Sequence, residues 1–263
     1  MDTPGPQTPG EPHPRAAHSR ATIAGRWGTA PKGLHYATDR FRTQRRRGRD
    51  PRLVLGLLER CAPGARFARA LDAPCGTGRL TLPLAALAER LVALDVSAAM
   101  LCAPGATFGP QCGPQPGSQS GRMSGRMSGP VVAPVQRCQG SVFALPFADG
   151  AFDLTVACRL LHHFAAEADR RAALAELARV TRGLVVVSYW DRASWHAWRR
   201  RAPGPLRRRD TDHRVAIAAA TLDAELAAVG LAPLVRAYSA RFVSPQTFVL
   251  ARKTAPPRGE VRA

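Results

Sequence analysis

The chain has 263 residues, 45% hydrophobic and 6% aromatic, and its 38 Lys+Arg against 19 Asp+Glu leave a formal net charge of +19. That length and apolar share allow one large α/β domain with a real core and exclude a disulfide scaffold or a fibre. No apolar stretch reaches the roughly 18–20 residues of a membrane-spanning helix, and no signal-peptide pattern opens the chain, so a soluble, cytoplasmic protein is expected.

Two further features of composition narrow the class. The six cysteines (Cys61, Cys75, Cys102, Cys112, Cys138 and Cys158) form no CxxC pair and have no His at zinc-ligand spacing, so they read as reduced thiols and no metal site is expected. Lys32 and Lys253 are the only lysines, so nearly all the positive charge is Arg. A polyanion partner would explain it. So would GC-rich coding, because Ala, Gly and Pro are also abundant and the basic clusters are not interleaved with the aromatics of a base-stacking surface.

In chain order, residues 1–34 carry Pro and Gly throughout and read as a disordered arm before a domain over 35–253 and a tail over 254–263. "FARALDAP" (67–74) reads as a buried strand. A helix over Arg79–Arg90 follows, with Leu80, Leu84 and Leu87 on one face and Pro83 near its first turn. "LVALDVS" (91–97) is the next strand, with a short helix starting near Ser97. Residues 103–134, which hold the tandem "GRMSGRMSG", read as a flexible insertion. "VVAPVQRC" (131–138) is an edge strand, since Pro134 is tolerated only there. "FDLTVACR" (152–159), a helix over Ala165–Arg182 stopped by Gly183, and the strand "LVVVSYW" (184–190) come next. A helix carrying Val215, Leu222, Leu226 and Val229 ends at Gly230, and "LVRAYSARF" (234–242) and "TFVLARK" (247–253) close the chain as a hairpin. Alternating, nearly continuous apolar strands and amphipathic helices predict an α/β fold with a doubly wound, Rossmann-like, seven-stranded and mostly parallel sheet.

In such a sheet ligands sit beyond the carboxyl ends of the strands, which is where "DAPCGTG" (72–78) falls. The stretch lacks the Lys and spacing of a P-loop and the third Gly of a dinucleotide fingerprint. What it keeps is a two-glycine turn and, 19 positions beyond Gly76, the carboxylate of Asp95 ending the next strand. That spacing suits a ribose diol without a pyrophosphate clamp.

Three motifs in order, "ALDAPCGTGRLTLPLA", "ALDVSAAML" and "GSVFALPFADGAFDLTVACRLLHHF", resemble the class I S-adenosylmethionine-dependent methyltransferases, in particular the type 11-like group related to ubiquinone and menaquinone biosynthesis enzymes. The resemblance covers about residues 36–253. It implies S-adenosyl-L-methionine as cofactor, with Asp72 facing the methionine ammonium and Gly76 and Gly78 letting the backbone approach. It places Pro74 and Cys75 in the same turn, Asp95 on both ribose hydroxyls, Val96 and Met100 against adenine, Ser141 and Val142 at the adenine edge, and Cys158 and Arg159 beside the transferred methyl group. The family commonly has Gly where Pro74 stands and Asp where Ser141 stands.

The resemblance implies a small-molecule or lipid-like acceptor. Tyr36, Arg159, Tyr189 and Trp190 are candidates for its wall, and the aromatics serve equally well as core residues. No catalytic base is identified; His162, His163 and His213 could each take a proton from an acidic acceptor, and each also reads as a packing histidine. The arginine-rich runs at 40–52 and 194–210 read equally as solvated surface and as capture of an anionic acceptor. They keep open an RNA acceptor, and the Pro74 and Ser141 departures keep open a non-catalytic cofactor-binding protein.

Overall fold

The computed structural model describes residues 48–103, 133–201 and 214–254. The expected arm, most of the insertion and of the tail, and Tyr36 and His213 lie outside the described residues.

Seven strands form one sheet: β1 (Phe67–Asp72), β2 (Ala88–Asp95), β3 (Val135–Gln139), β4 (Phe152–Ala157), β5 (Thr181–Trp190), β6 (Leu231–Tyr238) and β7 (Gln246–Lys253). Their order is β3-β2-β1-β4-β5-β7-β6, with β7 antiparallel to both of its neighbours and every other pair parallel. β3 is an edge strand, as Pro134 predicts. The apolar runs arise because the sheet is buried on both faces. Val185 and Val187 enter one core cluster and Val186 the other, the period of two that a strand imposes.

On one face Val54, Leu57 and Leu58 of helix α1 (Arg49–Cys61) and Leu84 of α2 (Thr81–Ala85) cover the sheet. The other face is covered by Leu174 and Leu177 of α4 (Glu167–Val180) and Leu222 and Leu226 of α6 (Ala219–Ala228). Two shorter helices, α3 (Ala98–Leu101) and α5 (Trp195–Arg201), follow β2 and β5.

Several boundaries differ from the sequence expectation. The helix expected over Arg79–Arg90 is only α2, because Ala88 and Arg90 pair with Phe67 and Arg69 of β1 and the Leu87 carbonyl accepts from Phe67 N–H at 2.8 Å. Gly183 does not stop a helix. α4 ends at Val180, where the Thr181 hydroxyl donates to the Leu177 carbonyl at 2.6 Å, and Gly183 lies inside β5, where a Cβ would sit 2.4 Å from the Asp153 carbonyl oxygen. Val215 precedes α6 instead of joining it, its N–H donating to the His162 carbonyl at 2.8 Å.

α4 and α6 are joined by a buried ion pair. Arg170 contacts Glu225 at 2.6 Å and also donates to the Phe164 and Ala165 carbonyls. Truncating one partner strands the other charge in the core, so Glu225→Ala should lower unfolding free energy by about 3–5 kcal/mol, whereas an Arg170→Met/Glu225→Leu pair should lose much less. Urea denaturation of the three proteins checks this.

Candidate cofactor and acceptor cleft

The chain reverses direction across the sheet between β1 and β4, and a cleft open to solvent at its mouth lies over that point. Its floor is the turn after β1. Ala73 N–H donates to the Val156 carbonyl of β4 and Cys75 N–H to the Leu94 carbonyl of β2, each at 2.9 Å, so the turn is stitched to both neighbouring strands. The Ala73–Pro74 peptide is cis. Gly76 and Gly78 have φ of +58° and +82°, the left-handed region that glycine enters without a Cβ penalty.

Two buried carboxylates flank the turn. Asp95 accepts from Gly76 N–H at 2.8 Å on one oxygen and from Ser97 N–H at 2.9 Å on the other. Burial raises its pKa, and those backbone donors oppose the rise. Asp72 accepts from the Thr81 hydroxyl at 2.8 Å through Oδ2, while its Oδ1 is buried with no hydrogen-bond partner among the described residues. Burial, with the negative charge of Asp95 adding to it, pushes the Asp72 pKa up to about 7. Such a site favours a cation or a donor against Oδ1.

The remaining walls come from three segments. Val96 and Met100 follow β2; Gly140, Ser141, Val142 and Phe143 follow β3; Cys158, Arg159, Leu160, His163 and Phe164 follow β4. The segment before β4 is pinned from α4: Arg179 donates to the Leu145 and Phe147 carbonyls, and Glu176 accepts from Leu145 N–H at 2.7 Å. Ser141 Oγ accepts from Phe143 N–H at 3.2 Å, which leaves it a lone pair for a ligand. The Cys158 thiol is pushed up to about 12 by burial, and Cys75 is also raised, first by burial and then by the two aspartates. Both are neutral thiols, unsuited to redox or nucleophilic chemistry.

All the expected cofactor residues line the cleft except Gly78, which lies in the turn beneath it. Among the acceptor candidates, Arg159 lines it; Tyr189 and Trp190 do not. Tyr189 is fully buried in β5, and Trp190 stacks on His162 with centroids 5.0 Å apart. His162 is buried in that stack, whereas His163 reaches the wall of the cleft.

One group escaped the sequence reading. Asp50, in the first turn of α1, is buried and accepts through one oxygen from Arg159 Nε at 2.7 Å and Arg79 Nη2 at 3.0 Å. Burial alone would raise its pKa, but the two guanidiniums outweigh it and hold the carboxyl below its usual range. Arg159 itself sits at φ +60°, its N–H donating to Ser188 Oγ at 2.7 Å. A non-glycine residue held in that conformation at the lip of a cleft is a local strain of the kind that functional sites keep.

Residues 71–186 match the family model described as a methyltransferase domain. No curated protein matches the chain. Among solved structures, the fold is similar to that of the magnesium protoporphyrin IX methyltransferase of Synechocystis PCC 6803 with bound SAH (TM-score 0.64, 11% identity, 90% of this chain and 100% of that one). It is also similar to the Burkholderia thailandensis 1,6-didemethyltoxoflavin-N1-methyltransferase with bound 1,6-didemethyltoxoflavin and S-adenosylhomocysteine (0.57, 18%, 89% and 88%). A third similar fold is the N-methyltransferase NodS of Bradyrhizobium japonicum WM9 (0.53, 17%, 82% and 99%). Among the described residues no helix is long and apolar enough to cross a membrane and no His, Cys, Asp or Glu cluster could hold a metal.

The state of Asp72 is testable without any ligand. Its folded pKa of about 7 stands above the ordinary 3.8, so as pH rises through that window the unfolded chain ionises first and stability falls. Asp72→Asn removes this loss. The variant's advantage over the parent protein in urea denaturation should grow by roughly 1.4 kcal/mol per pH unit across that window and level off above it; an advantage that does not change with pH would contradict the assignment.

Proposed function

We propose that the chain, whose residues 71–186 match a methyltransferase domain, is a class I S-adenosylmethionine-dependent methyltransferase that methylates a small-molecule acceptor bound in this cleft. The observation that carries the reading is the pair of buried carboxylates at the ends of β1 and β2, one with an unsatisfied oxygen, on either side of a glycine turn.

The residues fit the cofactor. Asp72 Oδ1 would take the methionine ammonium, which satisfies that oxygen and favours its charged form. The Asp95 oxygens accept from backbone N–H groups of the two loops and, with two lone pairs each, could also accept a ribose diol without releasing the turn. Val96, Met100 and Val142 offer an apolar slot for adenine, with Ser141 Oγ at its edge, and the Pro74–Gly78 turn leaves room for the methionine half. When bound, S-adenosylmethionine supplies an electrophilic methyl group, so the protein needs only to align a nucleophile and exclude water.

Cys158, Arg159, Leu160, His163 and Phe164 would form the acceptor's side of the cleft. Their chemistry supports a compact, partly apolar acceptor, and the Arg159 guanidinium on the cleft wall would suit an anionic group on it. His163 is placed to take a proton from an acidic acceptor atom.

Calorimetry with S-adenosylhomocysteine tests the cofactor half. Asp95→Ala should weaken binding by a factor of about ten or more, since hydrogen bonds to a charged group contribute roughly 1.5–3 kcal/mol. Undiminished affinity would refute the assigned role of Asp95. Incubation with methyl-labelled cofactor and fractionated metabolite, lipid and RNA extracts tests the acceptor half. Label in small molecules is expected, label confined to RNA would replace the small-molecule reading, and no transfer to any fraction would favour a non-catalytic binder.

A further inference from the structure

A second surface on the same edge of the sheet is unrelated to cofactor chemistry. β5 leads through a tight turn into α5, where Trp195 and Trp198 are 52% and 47% exposed and stack on each other with centroids 4.6 Å apart. Trp195 N–H donates to the Phe242 carbonyl, which brings the β6–β7 loop against the helix. At the tip of that loop Phe242 and Val243 are 64% and 63% exposed. Phe242 is held at φ +63°, a conformation unfavourable for a bulky residue, with its ring outward. The Arg241 guanidinium lies over the Phe242 ring at 4.9 Å, and Arg192 and Arg199, close in sequence to the two tryptophans, are exposed.

The turn below the patch is well fixed. Ser194 is buried, its Oγ accepting from Ala197 N–H at 3.2 Å, and Arg192 N–H donates to the Ile217 carbonyl at 3.0 Å. The aromatics are thus displayed by an ordered platform, and clustered exposed aromatics of this size mark an interaction surface.

We propose that this patch docks the protein on the surface of an anionic phospholipid bilayer. Trp and Phe that insert at the headgroup boundary, with Arg reaching the phosphates, are the elements of interfacial binding, and the chain's net charge of +19 complements an anionic surface. The geometry favours lipid over nucleic acid. Base stacking needs open aromatic faces, but Trp195 and Trp198 cover each other and Arg241 covers one face of Phe242, while the aliphatic Val243 has no use against a base. The patch also faces the same way as the cleft. β5 and β6 both run antiparallel to β7, so their carboxyl ends share the edge that carries the cofactor turn. Arg49, next to Asp50 of the cleft, bonds Ser239 beside the loop at 3.1 Å. A bilayer on the patch would therefore lie close to the cleft's mouth.

The full-length protein is mixed with phosphatidylcholine vesicles with and without phosphatidylglycerol, and sedimentation and tryptophan emission are read. Binding to the anionic vesicles with a blue-shifted emission is expected, and it should drop by a factor of about ten or more in a Trp195→Ala/Trp198→Ala/Phe242→Ala variant. S-adenosylhomocysteine affinity should be unchanged in that variant, which separates this proposal from the methyl-transfer reading. A Phe242→Glu/Val243→Glu variant, altered only at the loop tip, should show the same loss with both tryptophans present. Equal vesicle binding by the parent and both variants would overturn the proposal by assigning adhesion to arginines elsewhere. So would failure to bind vesicles at all, or binding to single-stranded RNA that the same substitutions abolish.

Discussion

The buried carboxylate of Asp95 is the constraint on which the cleft depends. Its two oxygens are held by backbone N–H groups from two different loops, Gly76 after β1 and Ser97 after β2, so one side chain sets the distance between the turn and the neighbouring strand's exit. The left-handed φ of Gly76 turns that N–H toward β2, and a residue with a Cβ would resist the conformation. Burial, with the charge of this same carboxylate adding to it, raises the pKa of Asp72, whose Oδ1 has no hydrogen-bond partner among the described residues.

The cleft holds three buried aspartates in three electrostatic states. Asp50 is stabilised as an anion by two arginines, Asp95 is held mainly by backbone dipoles, and Asp72 is left close to neutrality. Their arrangement gives the cleft polarity, with negative character at the β1–β2 end and the guanidiniums of Arg79 and Arg159 toward β4. A charged or dipolar ligand would bind with one orientation preferred, which is how an active site fixes geometry before any chemistry occurs.

The strands were legible because a sheet covered on both faces writes itself as apolar runs, as in β4 and β5, and because the turn residues after β1 are chemically unusual. The helix boundaries were less so. Leu80, Leu84 and Leu87 have helical spacing, yet Leu87 and Ala88 are claimed by β1 across the chain, a partnership that no local pattern carries. Gly183 resembles a helix stop and serves instead as the place where the β4 backbone comes too close for a Cβ. Asp50 was hidden because its partners lie 29 and 109 residues away and it sits in an arginine-rich stretch. Trp190 read equally as a cleft wall and as a core aromatic, because no local pattern carries the His162 ring that stacks on it.

The antiparallel insertion of β7 explains why one edge of the sheet can carry two surfaces. Placed between β5 and β6, β7 makes the β6–β7 connection a short loop that returns to the carboxyl edge beside α5. The cofactor corner sits at β1 and β2, the aromatic patch at β5, β7 and β6, and β4 with Arg159 stands between them. None of Trp195, Trp198, Phe242 and Val243 lines the cleft. The two surfaces can therefore be altered one at a time although they share one edge of the sheet.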